Sequence, residues 1–220
     1  MREKGAIADV LLARLAANQH GVVSLEQLRA IGISSHAIAH RVRIGRLHRI
    51  HRGVYAVGHA RLSNEGRWMA AVLACGYGAA LSHRSAAALW GLLPTQPGNP
   101  DVTVPGHGGR RRRRGIRLHR SNSLHPAQTT LRVGIPVTTP ARTLIDLRRC
   151  ASRAELGRAR RQAEIRGFRL GESERPEPDL TRSELERRFS GCAAATACQS
   201  PKSTLRSAST WLISCGATAA

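Results

Sequence analysis

The sequence predicts an α+β protein: an N-terminal winged helix-turn-helix, a mixed α/β second domain and a poorly ordered C-terminal tail. Three observations predict it. Two short helical patterns flank a Gly32-Ile33-Ser34 turn, which is the spacing of a helix-turn-helix. Residues 47–57 then alternate apolar and basic side chains around Gly53, the pattern of a β-hairpin. Beyond residue 63, helix caps and strand-like runs follow one another until hydrophobic periodicity vanishes after Phe189.

The first helix is expected over residues 6–18, where Ile7, Val10, Leu11 and Leu15 stand at helical spacing. Gly21 ends the turn that follows. Ser24 stands three residues before Gln27, a capping box for the second helix, which Gly32 stops. Ser34 and Ser35 offer caps for a third, and Gly45 stops it. In that third helix Ile38 and Val42 are expected to face inward. His36, His40 and Arg43 then line the opposite face, with Arg41 at its edge. A merely solvated surface helix carries the same pattern. The hairpin that follows favours an interface, because a hairpin beside a recognition helix is a wing. One face of that hairpin is expected on the helices, leaving Arg46, His48, Arg49, His51 and Arg52 to water or phosphate.

Two helices suit residues 63–92, one from Ser63 to about Cys75 and one from Ser82 to about Trp90, with the Gly76–Gly78 turn between them. Trp68, Leu73, Leu89 and Trp90 are candidate core. Asp101–Pro105 is a short strand. A run of five arginines, Arg110 to Arg114, then leads into Gly-Ile-Arg-Leu-His-Arg, a strand–basic turn–strand unit. The arginine run is either a solvated loop or a second phosphate contact. Ile135 and Val137 alternate in a strand. Thr139 caps a helix with Pro140 at its first position, and residues 153–167 are helical. Residues 172–180 form a linker, and a helix restarts at Ser183. The domain reading is 1–58 winged helix-turn-helix, 59–171 α+β domain, 172–180 linker, 181–189 the start of a further domain and 190–220 tail. In that tail Ala, Ser, Thr and Cys make up 21 of 31 residues, a composition that buries too little apolar surface to order itself.

Charge is the strongest global property. The chain holds 35 basic and 14 acidic residues, a net +21. That imbalance is self-repulsive and marks a polyanionic partner. It is concentrated in residues 1–145, with 21 cations against 5 acids, and all ten histidines lie at or before His125. All but two of the cations are arginine, the better fork for phosphate, although a GC-rich genome produces the same bias. Five cysteines without paired spacing, and no signal peptide, point to a reducing cytoplasm. No apolar run reaches the roughly 20 residues of a membrane span.

Residues 21–59, with the pieces Leu81–Leu92 and Gly134–Leu147 that follow, resemble the AbiEi family of antitoxins from type IV toxin–antitoxin systems. The likeness covers roughly residues 6–170. It implies a winged domain that binds duplex operator DNA and represses its own operon. It also implies opposition to a nucleotidyltransferase-like toxin without a stable complex. Residues 181–189 resemble the start of a domain similar to very-short-patch-repair endonucleases. That domain's next strands, one of them carrying a metal-binding carboxylate, do not appear here. Reading the codons of residues 201–216 one base earlier can restore Glu-Val-Asn-Val and Val-Ala-Asp-Phe-Leu-Trp in that order, which suggests a frameshift soon after Phe189.

An enzyme reading finds little support in the sequence. Glu184 and Glu186 alone do not make a cluster for Mg²⁺. Ser82, His83 and Asp146 are rejected as a triad because sequence neighbours on a helix point apart. His83 and Arg84 are expected to cap or brace the helix pair. No Cys or His set has zinc spacing, no phosphate loop is present, and no cofactor is expected. The binding reading uses residues that are present: Ser34, Ser35, His36, His40, Arg41, Arg43, Arg46, His48, Arg49, His51 and Arg52, with Arg110, Arg111, Arg112, Arg113 and Arg114 as a second contact. A DNA endonuclease that has lost its catalytic core is the main alternative. RNA binding is a third reading, because net charge does not distinguish nucleic acids.

Overall fold

A computed structural model describes residues 2–106, 113–122, 124–168 and 170. Arg110, Arg111 and Arg112, the linker, the nuclease-like start and the tail with its frameshift all lie outside the described residues. The described residues fall within one compact unit, and the fold is α+β as expected.

The N-terminal part runs α1 (Arg2–Asn18), β1 (Val22–Ser24), α2 (Leu25–Ala30), α3 (Ser35–Arg43), β2 (Leu47–His51) and β3 (Val54–Val57). Local chemistry sets the helix starts. Ser24 and Gln27 close a reciprocal capping box on α2, and Ser34 accepts from the Ala37 amide at the start of α3. β1 was not legible beforehand. It pairs with β3, and β3 with β2, to give an antiparallel sheet of order β1-β3-β2.

One inward-facing assignment, that of Val42 in α3, is corrected, and α1 shows which of its apolar residues are covered. In α1 the buried side chains are Leu12 and Ala16, with Ala8 and Leu15 partly covered, while Ile7, Val10 and Leu11 are 61%, 53% and 40% exposed. The helix is apolar on two faces, so periodicity alone could not choose between them. In α3 Ile38 is buried, but Val42 is 38% exposed. The helix ends within two residues of Val42, and the chain turns away before anything covers it.

The hairpin also differs from the one-sided ribbon expected. Leu47, Val23 and Tyr55 join the core under α1 to α3, whereas Val22, Val54 and Ala56 join a second core, with Ile50 packed against it. Both faces of this sheet are therefore covered.

The second cover is α4 (Asn64–Cys75), capped by Ser63. The chain continues through β4 (Ala80–Leu81), α5 (His83–Trp90), β5 (Asp101–Pro105), β6 (Arg117–Ser121), β7 (Thr129–Arg132), β8 (Ile135–Thr138), α6 (Pro140–Leu147) and α7 (Arg153–Ile165). The five strands form a mixed sheet of order β6-β5-β4-β8-β7. β5 and β6 run parallel, so they are not the two arms of the tight strand–turn–strand unit the sequence suggested, because parallel neighbours cannot be joined by a tight turn.

α4 packs on both sheets. Gly66, Trp68, Met69, Ala70, Ala71, Val72, Ala74 and Cys75 are all buried in it, the signature of a helix covered nearly all round. α5, α6 and α7 pack in succession. Trp90 donates from Nε1 to the Thr138 carbonyl at 2.9 Å, Arg132 lies over its ring, and Phe168 meets it edge-on. Arg84 braces α5 to α7 through two bonds to Glu155, at 2.7 and 2.8 Å, and one to the Cys150 carbonyl. The brace differs from the sequence expectation for Arg84, which has it holding the pair of helices over residues 63–92; its partner Glu155 belongs to α7. No helix among the described residues is long and apolar enough to cross a membrane.

Two close approaches fix the N-terminal part on the rest. A Cβ at Gly66 would lie 2.8 Å from the His20 carbonyl oxygen. His20 in turn donates from Nε2 to the Val133 carbonyl at 2.7 Å. Val133 and Gly134 form the two-residue turn between β7 and β8, with φ of 50° and 74°. Such turns suit Asn-Gly rather than a β-branched residue.

Gly66→Ala is expected to destabilise the protein by about 1–3 kcal/mol through overpacking against backbone, seen as a Tm lowered by several degrees. Val133→Asn is expected to stabilise it by about 1 kcal/mol, since Asn tolerates the left-handed region. A urea titration reads the second change as a higher midpoint with an unchanged slope.

Candidate nucleic-acid interface

The third helix presents its outer face through a simple division of labour. Ile38 is buried and anchors α3. Ser34, Ser35, His36, His40 and Arg43 are exposed. Arg43 Nη2 and His40 Nδ1 lie 3.0 Å apart, so these two side chains are already ordered with respect to one another. Arg41 is differently placed. It is half-buried, donates to Asp9 Oδ1 at 2.7 Å and reaches back to the Ala37 carbonyl. Arg41 ties α3 to α1 and holds the helix from behind.

α3 leads directly into β2, the edge strand of its sheet. Three arginines lie in or next to this strand. Arg46, Arg49 and Arg52 are exposed, and Arg49 lies 5.9 Å over the Tyr55 ring. His48 is half-buried with Nε2 3.3 Å from the Gly58 carbonyl. Charged side chains on an edge strand also discourage pairing with other chains, so the same residues protect the sheet and present positive charge.

His51 departs most from the expectation of a side chain left to solvent. It is half-buried, and a Cβ at Gly115 would lie 3.5 Å from its ring. Burial, together with the nearby Arg113 guanidinium, holds its pKa below the usual imidazole range. At the turn after it, Gly53 adopts a φ of 76° and its carbonyl accepts from the Leu25 amide at 2.8 Å, so the wing tip is fastened to the start of α2. Of the arginine run, Arg113 is half-buried and Arg114 exposed.

A second constellation, around Ser82 and His83, is arranged differently from the diverging pair that the sequence predicts. Ser82 and His83 do not point apart on a helix. Ser82 is extended and His83 has a φ of 48°, and Ser82 Oγ lies 3.0 Å from His83 Nδ1. The hydroxyl makes no cap to α5 and instead accepts from Thr103 Oγ1 at 2.7 Å. His83 stacks on His119 with ring centroids 3.7 Å apart. His119 Nε2 lies 2.9 Å from Asp101 Oδ1, which Arg117 also approaches. Asp146 accepts from Arg142 Nε at 2.9 Å, and burial pushes its pKa up against that pairing. A positive φ at a non-glycine residue leaves no trace in a hydrophobic pattern, so the sequence offered Ser82, His83 and Asp146 but not the geometry that joins Ser82 to His83.

The cluster's chemistry is that of a buried polar network. Ser82 has no solvent exposure and Asp101 is 3% exposed, so a substrate has no path to the hydroxyl. Among the described residues no three His, Cys, Asp or Glu side chains are arranged to hold a metal ion. Burial and the neighbouring His119 push the His83 pKa down to about 4.

A domain model described as "Transcriptional regulator, AbiEi antitoxin" matches residues 10–58, and one described as "AbiEi antitoxin C-terminal domain" matches residues 77–163. None of the curated proteins compared with the chain matches it. Among solved structures, the crystal structure of the RV2827C protein from Mycobacterium tuberculosis is similar at 22% identity with a TM-score of 0.40. The match covers 64% of this chain and 60% of that one.

Because the folded pKa of His83 lies below its ordinary 6.5, the unfolded chain takes up a proton first as pH falls. Stability is therefore fully present above about 6.5 and declines until about 4, where the folded imidazole also protonates. The contribution is on the order of 2 kcal/mol. Urea midpoints measured across that window should fall for the unsubstituted protein and fall less for His83→Asn, which keeps the left-handed backbone but cannot titrate.

Proposed function

From its membership of the AbiEi antitoxin family, carried by the two domain matches, we propose that this chain is a sequence-specific duplex-DNA-binding regulator that represses its own operon. The observation that carries the reading is the division of α3: Ile38 locks one side into the core while His36, His40 and Arg43 stand exposed on the other. α3 in the major groove places those three side chains at base edges. Ser34 and Ser35, at the helix N-terminus, donate to a phosphate with help from the helix dipole. Arg46, Arg49 and Arg52 at the sheet edge, with His48 and the arginine run from Arg110 to Arg114, add backbone contacts that fix register and contribute affinity, while His51 serves by packing the wing against the Gly115 loop. Arg41 serves by holding the helix. In this reading the winged part is residues 1–58 and the α+β part residues 59–171. The chain acts as the antitoxin partner of a nucleotidyltransferase-like toxin that it opposes without stable association.

Fluorescence anisotropy on a duplex selected in vitro tests the reading. With about six phosphates neutralised, log K should fall against log salt with a slope near −5. His40→Ala and Arg43→Ala should each lose about 1–3 kcal/mol of discrimination against mismatched duplexes, whereas Arg46→Ala should weaken all duplexes alike. A flat salt response, or equal competition by duplex RNA, overturns the proposal.

A further inference from the structure

A cleft of about 940 Å³ opens beside the sheet edge. One wall is built from α2 and the hairpin, with Arg29, Arg49 and Arg52. The other is built from the turn after α4, β7 and the end of the arginine run, with Tyr77, Leu131 and Arg113. Four arginines thus converge on a space whose lining holds a single carboxylate, Glu26. None of the four is ion-paired among the described residues. Converging cations without counter-charges raise the local concentration of anions. Tyr77 at the rim is 97% exposed and Leu131 is 68% exposed.

The cleft's position selects among anions. Arg29 stands in the last turn of α2, just before the turn that delivers α3. Arg52 stands at the hairpin turn, and Gly115 packs against the His51 ring beside it. The cleft shares Arg49 and Arg52 with the surface assigned above to DNA, and it is an open trough rather than an enclosed chamber.

We propose that this trough takes the sugar–phosphate strand of the DNA flanking the element read by α3. Arg29 and Arg113 engage phosphates, and Tyr77 lies against deoxyribose. The inference rests on the duplex-binding reading and extends it. The second domain is then a direct DNA-contacting part, and the footprint reaches beyond what a lone winged helix covers.

The test uses the full chain and two duplexes sharing one selected core, one trimmed to that core and one flanked by a full helical turn on each side. On the flanked duplex, the double variant Arg29→Ala/Arg113→Ala should flatten the salt slope by about 2, one for each lost phosphate contact. On the trimmed duplex it should match the unsubstituted chain. Arg113→Lys should keep the slope, which separates lost charge from lost packing. A 5-bromodeoxyuridine placed in the flank should crosslink to the unsubstituted chain and lose that crosslink in Tyr77→Ala. Unchanged slopes and crosslinks, with Arg43→Ala still weakened on both duplexes, would overturn the trough while leaving the α3 reading intact. Failure of the unsubstituted chain to bind either duplex at low salt overturns both.

Discussion

The structure depends on the burial of α4 between two sheets. Its small residues, Gly66, Ala70, Ala71 and Ala74, let backbone approach backbone, while Trp68, Met69 and Val72 fill the remaining volume. Neither of the two family-domain matches includes residues 59–76, yet this stretch carries the helix that both parts share as core. Cores of this density transmit a lost or added methyl group directly. The three-stranded sheet therefore cannot shift without disturbing the five-stranded one. His20 and Val133 add a hydrogen bond across the same junction, and a strained turn is held in place to make it.

That shared core explains where the charge sits. A sheet covered on both faces has only its edges left for ionised groups, because burying an unpaired cation is prohibitive. β2 is an edge strand, with exposed Arg49 in it and exposed Arg46 and Arg52 just before and after it, and it follows α3, in which Ile38 is the buried residue. Packing and charge are thus two consequences of one arrangement. The apolar residues of the hairpin serve two cores, and its arginines, Arg46, Arg49 and Arg52, are left exposed.

The polar cluster around Ser82 illustrates the converse case. Buried hydroxyls, imidazoles and a carboxylate are tolerated because most of their polar atoms find partners. Ser82, Thr103 and His83 satisfy one another, and Asp101 is shared by His119 and Arg117. Asp146 Oδ2 has no hydrogen-bond partner among the described residues, and burial raises that carboxyl's pKa accordingly. Constellations of Ser, His and Asp suggest catalysis when met in a sequence. Here the same residues are packed inside the second part of the fold, and the Ser82 hydroxyl has no solvent exposure.

The sequence by itself determined the local starts and stops, the α+β class and the basic character of the first half. Caps at Ser24, Ser34, Ser63 and Thr139, and the Pro140 start of α6, act over three or four residues, so a linear string contains all the information needed to place them. Tertiary structure alone decided which of two apolar faces of α1 is buried, that β1 and β7 exist as strands, and that β5 and β6 run parallel. It also decided that Arg41 and His51 face protein, and that Ser82 and His83 meet. Each of these depends on partners far away in the chain: Asp9 for Arg41, the Gly115 loop for His51, α4 for the hairpin's second face. An amphipathic period records that a side chain prefers to be covered. It carries no record of what does the covering, and that partner is what turns a basic residue into a tether or leaves it open to solvent.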